Sequence, residues 1–301
     1  MIPKFPIFKK LEVGDKRDIE NIIQEYTPYS DFDVITMVSW YPEGQVEISN
    51  LNNNLVIKFP EYISGKICHS FIGTYEVNST TDTLLRYLRG QKLEPVLRVV
   101  PEICLQNMDM EKYLVEIDFD NSDYVYSNLE LSNYQGPKYS KKRQLANIFI
   151  SRNLGVETKL LDLKDPKVQS EILTLYDQWS ENKSKNGEYF YLPKEHDAIH
   201  RFMKNNFENC LCLAVFINKN LVGYSIYGLL ANEYALCYFS KIDISYLGLN
   251  EYLMRESART LLSKGIVHLN YEEDLGITGL RFSKNSFRPS HFLRKYTIKA
   301  I

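Results

Sequence analysis

The sequence predicts a mixed α/β protein built of two similarly ordered halves. Residues 211–217, 221–230 and 234–242 are apolar, strand-like runs separated by Asn218-Lys219-Asn220 and Ala231-Asn232-Glu233, the pattern of a three-stranded meander. Residues 46–48 and 55–57 alternate around Asn52-Asn53-Asn54, which signals a hairpin in the first half. Elsewhere strand-like runs alternate with segments of helical period, and both halves follow a rough order of strand, helix pair, antiparallel strands, helix, strand, strand. The expected division is 1–130 and 131–301, with the candidate active site in the second half.

In chain order, residues 5–11 read as a strand. Asp15 is placed to cap a helix with Ile19, Ile22, Ile23 and Tyr26 on one face. Residues 31–40 fit a second helix, stopped by Pro42 and Gly44. After the hairpin come a strand at 67–72, a helix at 80–88 stopped by Gly90, and strands at 95–100 and 113–117. Residues 121–137, rich in Asn, Ser, Tyr and acids and ending in Gly-Pro, read as a joint. A helix at 139–153 follows, then a strand at 156–163 and helices at 165–183 and 193–207. Between the two helices lies a loop, Lys185-Asn186-Gly187-Glu188, beside Tyr189, Phe190 and Tyr191, aromatics suited to packing, to a pocket wall or to stacking on a base. The meander leads into a helix at 249–263 closed by Gly265, and residues 292–301 form the last strand.

At 301 residues, with 44% apolar and 25% charged side chains, the composition is that of a soluble globular protein. No apolar run approaches the roughly 20 residues a membrane helix needs, and the first residues lack a signal peptide's apolar core, so a cytoplasmic location is expected. Five irregularly spaced cysteines give no disulfide framework, and Cys210 and Cys212 read as core residues of one strand face. His196 and His200 have zinc-helix spacing but lack the glutamate base directly after the first histidine, where Asp197 stands, and a third ligand, so no metal is expected.

Charge is unevenly distributed. Residues 131–156 and 275–301 together hold eleven of the 36 cations and none of the 38 acids. Lys141, Lys142 and Arg143 crowd the first turn of a helix, where cations oppose the helix dipole at about 0.3–1 kcal/mol each. An anion held there would offset that cost, and Arg281 and Lys284 form a second positive group. The stretch 270–284 is the most informative. It follows the strand-like run 266–269, turns through Glu272-Glu273-Asp274 and Gly276, and enters a helical turn carrying Arg281 and Lys284. The carboxyl end of a strand in an open α/β sheet is where ligands bind. The plain alternative is that Asp274 caps the helix and pairs with Arg281.

The run from Asn270 to Lys284, with Pro289 and Lys295-Tyr296 behind it, resembles the phosphatidylglycerol lysyltransferase C-terminal domain family. Gly136-Pro137-Lys138-Tyr139-Ser140-Lys141-Lys142-Arg143 resembles its second hallmark, and Tyr29-Ser30-Asp31-Phe32 through Trp40 is a looser match. The resemblance covers about residues 5–300. It implies two tandem GNAT-like acyltransferase units and an aminoacyltransferase that uses aminoacyl-tRNA as donor, with tRNA as a partner and a small-molecule, peptide or lipid acceptor.

For such a transfer the enzyme positions an acceptor nucleophile, takes its proton and stabilises an oxyanion. The expected catalytic residues are Glu272 and Asp274. The expected substrate-binding residues are Lys141, Lys142, Arg143, Asn270, Glu273, Arg281 and Lys284. The alternative donor is a coenzyme A thioester. A GNAT pyrophosphate loop would correspond to Ser245-Tyr246-Leu247-Gly248-Leu249-Asn250, where only Gly248 keeps the pattern and Asn250 crowds it. A non-catalytic anion-binding module is the remaining alternative.

Overall fold

The computed structural model describes residues 1–185 and 192–301. The chain forms two compact units, and neither is a contiguous half: residues 1–123, 273–281 and 292–301 make the first, and residues 124–272 with 282–291 make the second. The expected single boundary near residue 130 is therefore replaced by a chain that returns twice to its first unit.

In the first unit, β1 (Lys9–Lys10), α1 (Lys16–Ile23), α2 (Val34–Trp40), β2 (Glu47–Leu51), β3 (Asn54–Pro60), β4 (Ile67–Ile72), α3 (Val77–Gly90), β5 (Val96–Pro101) and β6 (Tyr113–Ser127) follow one another. Strands β1-β2-β3-β4 pair antiparallel. The β2–β3 turn is Asn52-Asn53, both at positive φ (54° and 63°), which asparagine tolerates and a tight hairpin requires. Helix α3 buries Leu84, Leu85 and Leu88 with Phe71, Leu97 and Val100 in one apolar core.

Three expectations change here, each for a polar reason. Asp15 does not cap α1. It is buried and accepts from Lys9 Nζ at 2.7 Å and from the Glu12 N–H at 3.1 Å. Helix α2 begins at Val34, because Asp33 is its cap and accepts from the Thr36 N–H at 2.8 Å. Ser30–Phe32 is a 3-10 turn, which leaves the Ser30 and Asp31 side chains outside the helix. The supposed joint is not a loop: Asn121–Ser127 continues β6, and Asn128–Asn133 is a short helix, α4, capped by Ser127. Its polar residues are there because they have buried partners, described below.

The second unit continues with α5 (Ser140–Arg152), β7 (Val156–Leu161), α6 (Pro166–Ser184), α7 (Leu192–Asn205), β8 (Cys210–Ile217), β9 (Asn220–Leu229), β10 (Tyr234–Ile242), α8 (Leu249–Ser263), β11 (His268–Asn270) and α9 (Thr278–Ser286), whose first turn lies in the first unit. Strand, helix pair, three-stranded meander, helix and strand thus recur in the order expected of one GNAT-like unit. The end of β6 pairs with β11, and the order runs β6-β11-β10-β9-β8-β7. Of these pairs β10–β11 is parallel and the others are antiparallel, and β10 bulges between Cys237 and Phe239. In the first unit the last strand, β12 (His291–Ala300), lies between β5 and β6 and bulges between Tyr296 and Ile298.

His69 on β4 is 1% exposed, packs edge-on to Phe8 and Tyr87, and neither ring nitrogen has a hydrogen-bond partner among the described residues. Burial lowers its pKa from 6.5 to about 4. The unfolded chain therefore binds a proton between these values that the folded chain refuses. Stability should fall as pH drops from 6.5 towards 4, by up to about 3 kcal/mol from this residue. Urea denaturation across that range should show the loss in the wild type and a smaller slope in His69→Leu.

Candidate active site

Strand β12 carries Lys295 inward, and its side chain is fully buried. An ammonium without water needs anionic partners, and several parts of the first unit supply them. Strand β6 brings Asp123, whose Oδ1 is 2.6 Å from Lys295 Nζ, and Ser122, whose hydroxyl accepts from the Lys295 N–H at 3.2 Å. The 3-10 turn brings Ser30, whose Oγ accepts from Nζ at 3.0 Å, and Asp31, which forms an ion pair with it. The acidic corner brings Glu273 Oε2 to 3.9 Å. Ser30 also donates its backbone N–H to Asp123 Oδ2 at 2.9 Å, and its hydroxyl lies 2.6 Å from Asp123 Oδ1 and 3.2 Å from Glu273 Oε2.

Three carboxylates surround one ammonium, so the cluster has excess negative charge. Burial opposes the charge on Lys295, but Asp123, Asp31 and Glu273 outweigh it and raise the pKa. The Asp31 pKa is raised as well, which for a carboxyl favours the neutral form. Burial, then Glu273 and Asp123, push its pKa from 3.8 up to about 7 against the pull of Lys295. Asp123 is sealed, whereas the Asp31 and Glu273 side chains keep 19% and 22% exposure, which makes them the face a ligand would meet. Burial and the charges of Asp31 and Glu273 also raise the pKa of Tyr41 and keep its phenol protonated.

Of the expected site residues, Glu273 lies in this cluster, and the others have partners elsewhere or lie at the surface. Asp274 is fully buried: Arg281 Nε donates to its Oδ2 at 2.8 Å, and Arg281 Nη2 and the Gly276 N–H donate to its Oδ1 at 2.7 and 2.9 Å. Arg281 Nη2 also reaches Asp120 at 2.6 Å, and the Leu275 N–H donates to the Asp120 carbonyl. Gly276 has φ 71°, and a Cβ there would stand 2.9 Å from Asp120 Oδ2. Asp274 and Arg281 thus tie the acidic corner that presents Glu273, the plain alternative recognised in the sequence. Glu272 belongs to the second unit at φ 58°, its N–H donating to Asn270 Oδ1 at 2.8 Å, and buried Asn270 serves that turn.

Lys142, Arg143 and Lys284 of the expected anion site have partners within the second unit. Lys142 pairs with Glu251 at 3.1 Å and lies 3.7 Å from the Phe287 ring centre, and burial lowers its pKa. Arg143 donates to the Tyr134 and Gly136 carbonyls, at 2.5 and 3.4 Å. Lys284 donates to the Tyr271 carbonyl at 2.6 Å, and Lys141 is exposed. Gly248 precedes α8 at φ 85°, and a Cβ there would come 2.1 Å from the Leu145 carbonyl oxygen of α5. The glycine therefore admits a neighbouring helix at the place where a pyrophosphate was considered.

The rings of His196 and His200 lie 4.4 Å apart, and among the described residues no three His, Cys, Asp or Glu side chains gather as a metal site requires. The cysteines are free. Gly187, Tyr189, Phe190 and Tyr191 lie outside the described residues. Lys295, Asp123, Ser122 and Ser30 were not among the expected site residues. One signal did point there: Ser30-Asp31, the acidic corner and Lys295 are three of the stretches that carried the family resemblance, and they converge on one ammonium, whereas the stretch 136–143 lies in the second unit.

The family model described as phosphatidylglycerol lysyltransferase, C-terminal, matches residues 26–299, a span that includes Ser30, Asp31, Asp123, Glu273 and Lys295. The chain belongs to this family. It is thus an acyltransferase-family domain, similar to those of lysylphosphatidylglycerol synthases. The fold is similar to that of a conserved protein of unknown function from Bacteroides thetaiotaomicron, at 21% identity and TM-score 0.84 over 100% of both chains. It is also similar to the C-terminal domain of a putative lysylphosphatidylglycerol synthetase from Agrobacterium fabrum, at 11% identity and TM-score 0.65 over 95% of this chain and 90% of that one. L-PGS from Bacillus licheniformis aligns at 11% identity and TM-score 0.62 over 99% and 93%. No curated protein matches this chain significantly. Among the described residues no helix is long and apolar enough to cross a membrane.

Replacing Lys295 by Met should cost about 3–5 kcal/mol at pH 7, because buried carboxylates lose their counter-charge. Those carboxylates would then have folded pKa values above their unfolded ones, so the variant should regain stability as pH falls towards 5. Denaturation midpoints at pH 5 and pH 7 check both the loss and the sign of the recovery.

Proposed function

We propose that this domain transfers an aminoacyl group from aminoacyl-tRNA to an acceptor nucleophile, with Asp31 as general base. The observation that carries this reading is the Asp31 carboxyl. It is partly exposed, sits beside excess negative charge, and its pKa of about 7 balances proton affinity against availability at neutral pH. The donor ester is already activated, so the protein needs to supply position and proton management. The acceptor's O–H or N–H proton passes to Asp31 as its heavy atom attacks the ester carbonyl carbon. The carbon–oxygen bond to the ribose then breaks, and the departing ribose oxygen takes the proton.

Glu273 supplies negative charge for the α-ammonium of the aminoacyl group, and the protonated Tyr41 phenol is a donor for the developing oxyanion. Lys295 and Asp123 act as positioning residues that fix Asp31. The coenzyme A alternative is less favoured, because α5 packs on Gly248 at the start of α8.

The test is single-turnover transfer from radiolabelled aminoacyl-tRNA to phospholipid, peptide and small-amine acceptors. Asp31→Asn should lower the rate by about 10²–10⁴-fold and remove the acid limb near pH 7, while the fold is kept. Binding of charged tRNA should weaken steeply with salt. Unchanged turnover in Asp31→Asn would refute the base assignment. Absence of both tRNA binding at low salt and transfer to every acceptor would refute the aminoacyl reading.

A further inference from the structure

Strand β7 is an open sheet edge: among the described residues it pairs with β8 alone. Such an edge offers unpaired backbone groups to another strand. One hydrogen bond fixes which groups these are. The Asn218 N–H donates to the Gly155 carbonyl at 3.4 Å, next to the register pair Val156↔Ile217. Residues whose backbone faces the partner strand alternate with residues whose backbone faces away, and the β7–β8 register runs without a shift to Leu161↔Cys212. Gly155, Glu157 and Lys159 therefore turn their backbone groups towards β8, and Val156, Thr158 and Leu160 turn theirs outward.

The side chains along this edge read Val156-Glu157-Thr158-Lys159-Leu160, apolar, acid, neutral, base, apolar. This order complements itself when reversed. We propose that the β7 edge is a homodimer contact, in which β7 pairs antiparallel with β7 of a second copy about a two-fold axis at Thr158. In that register Thr158 faces itself and Val156 faces Leu160, so every outward backbone group meets another outward group. Glu157 faces Lys159 of the second copy at the non-hydrogen-bonded positions, where side chains approach most closely.

Shifting the register by one residue sets inward-facing backbone against outward-facing backbone. Centring it on Val156 or Leu160 removes the charge match, and a parallel in-register pairing sets Glu157 against Glu157. The dimer is thus specified by both backbone phase and charge, as an isologous contact requires. Leu160 at 52% exposure and Leu154 at 86% are apolar groups at this edge that a second copy would cover. Glu157 and Lys159 now pair within the strand, both more than half exposed, and are free to exchange partners at little cost.

Sedimentation velocity of the full chain over a concentration series tests the proposal. The wild type should show a monomer–dimer equilibrium. Glu157→Lys alone, or Lys159→Glu alone, sets like charges face to face twice and should weaken the dimer about tenfold. The double variant Glu157→Lys/Lys159→Glu restores opposite charges and should recover the wild-type dissociation constant. Thr158→Pro removes an outward N–H without breaking a bond to β8, and circular dichroism should show a folded monomer. A wild type that stays monomeric at every concentration, or a dimer indifferent to the single charge reversals, would overturn the proposal.

Discussion

A fully buried ammonium is the constraint around which the first unit is arranged. Removing Lys295 from water costs several kcal/mol, and only close carboxylates and hydroxyls return it. The chain answers from four separate stretches, the 3-10 turn at Ser30–Phe32, β6, the corner at Glu273 and β12 itself. Three acids answer one base, and burial of Asp31, followed by the charges of Glu273 and Asp123, lifts its carboxyl to a pKa of about 7 against the pull of Lys295. The same arrangement that makes the core tolerable thus leaves a titratable carboxyl at its rim.

Much of the architecture could be read from hydrophobic period and turn chemistry. The 211–242 meander and the Asn52-Asn53 hairpin form as expected, because alternation and asparagines at positive φ act locally. The site was less legible for the opposite reason. Ser122 and Asp123 look like loop residues until their partner, more than 170 positions away, is known. Asp31 read as helical because nothing in its neighbourhood reveals that Asp33 takes the cap. Asp274 and Arg281 were legible as a pair, and the pair ties the corner that holds the preceding carboxylate, Glu273.

The cations show how charge counting misleads. Two acid-free segments suggested an anion, yet Lys142, Arg143, Arg281 and Lys284 find carboxylates, carbonyls or ring faces across the fold. A run of one sign in sequence says nothing about what the tertiary structure brings opposite it. Exposure separates the cases: Lys141 remains at the surface, where its charge shapes the field seen by any polyanion.

Gly248 has a consequence for how this scaffold can diversify. The Leu145 carbonyl stands where any side chain at position 248 would have to go, so the residue is locked by a neighbour remote in sequence. No side chain can be added at this position while α5 stays seated. Any lineage that replaced this glycine would have to begin by displacing a whole helix, a barrier that point mutation elsewhere in the loop does not lower.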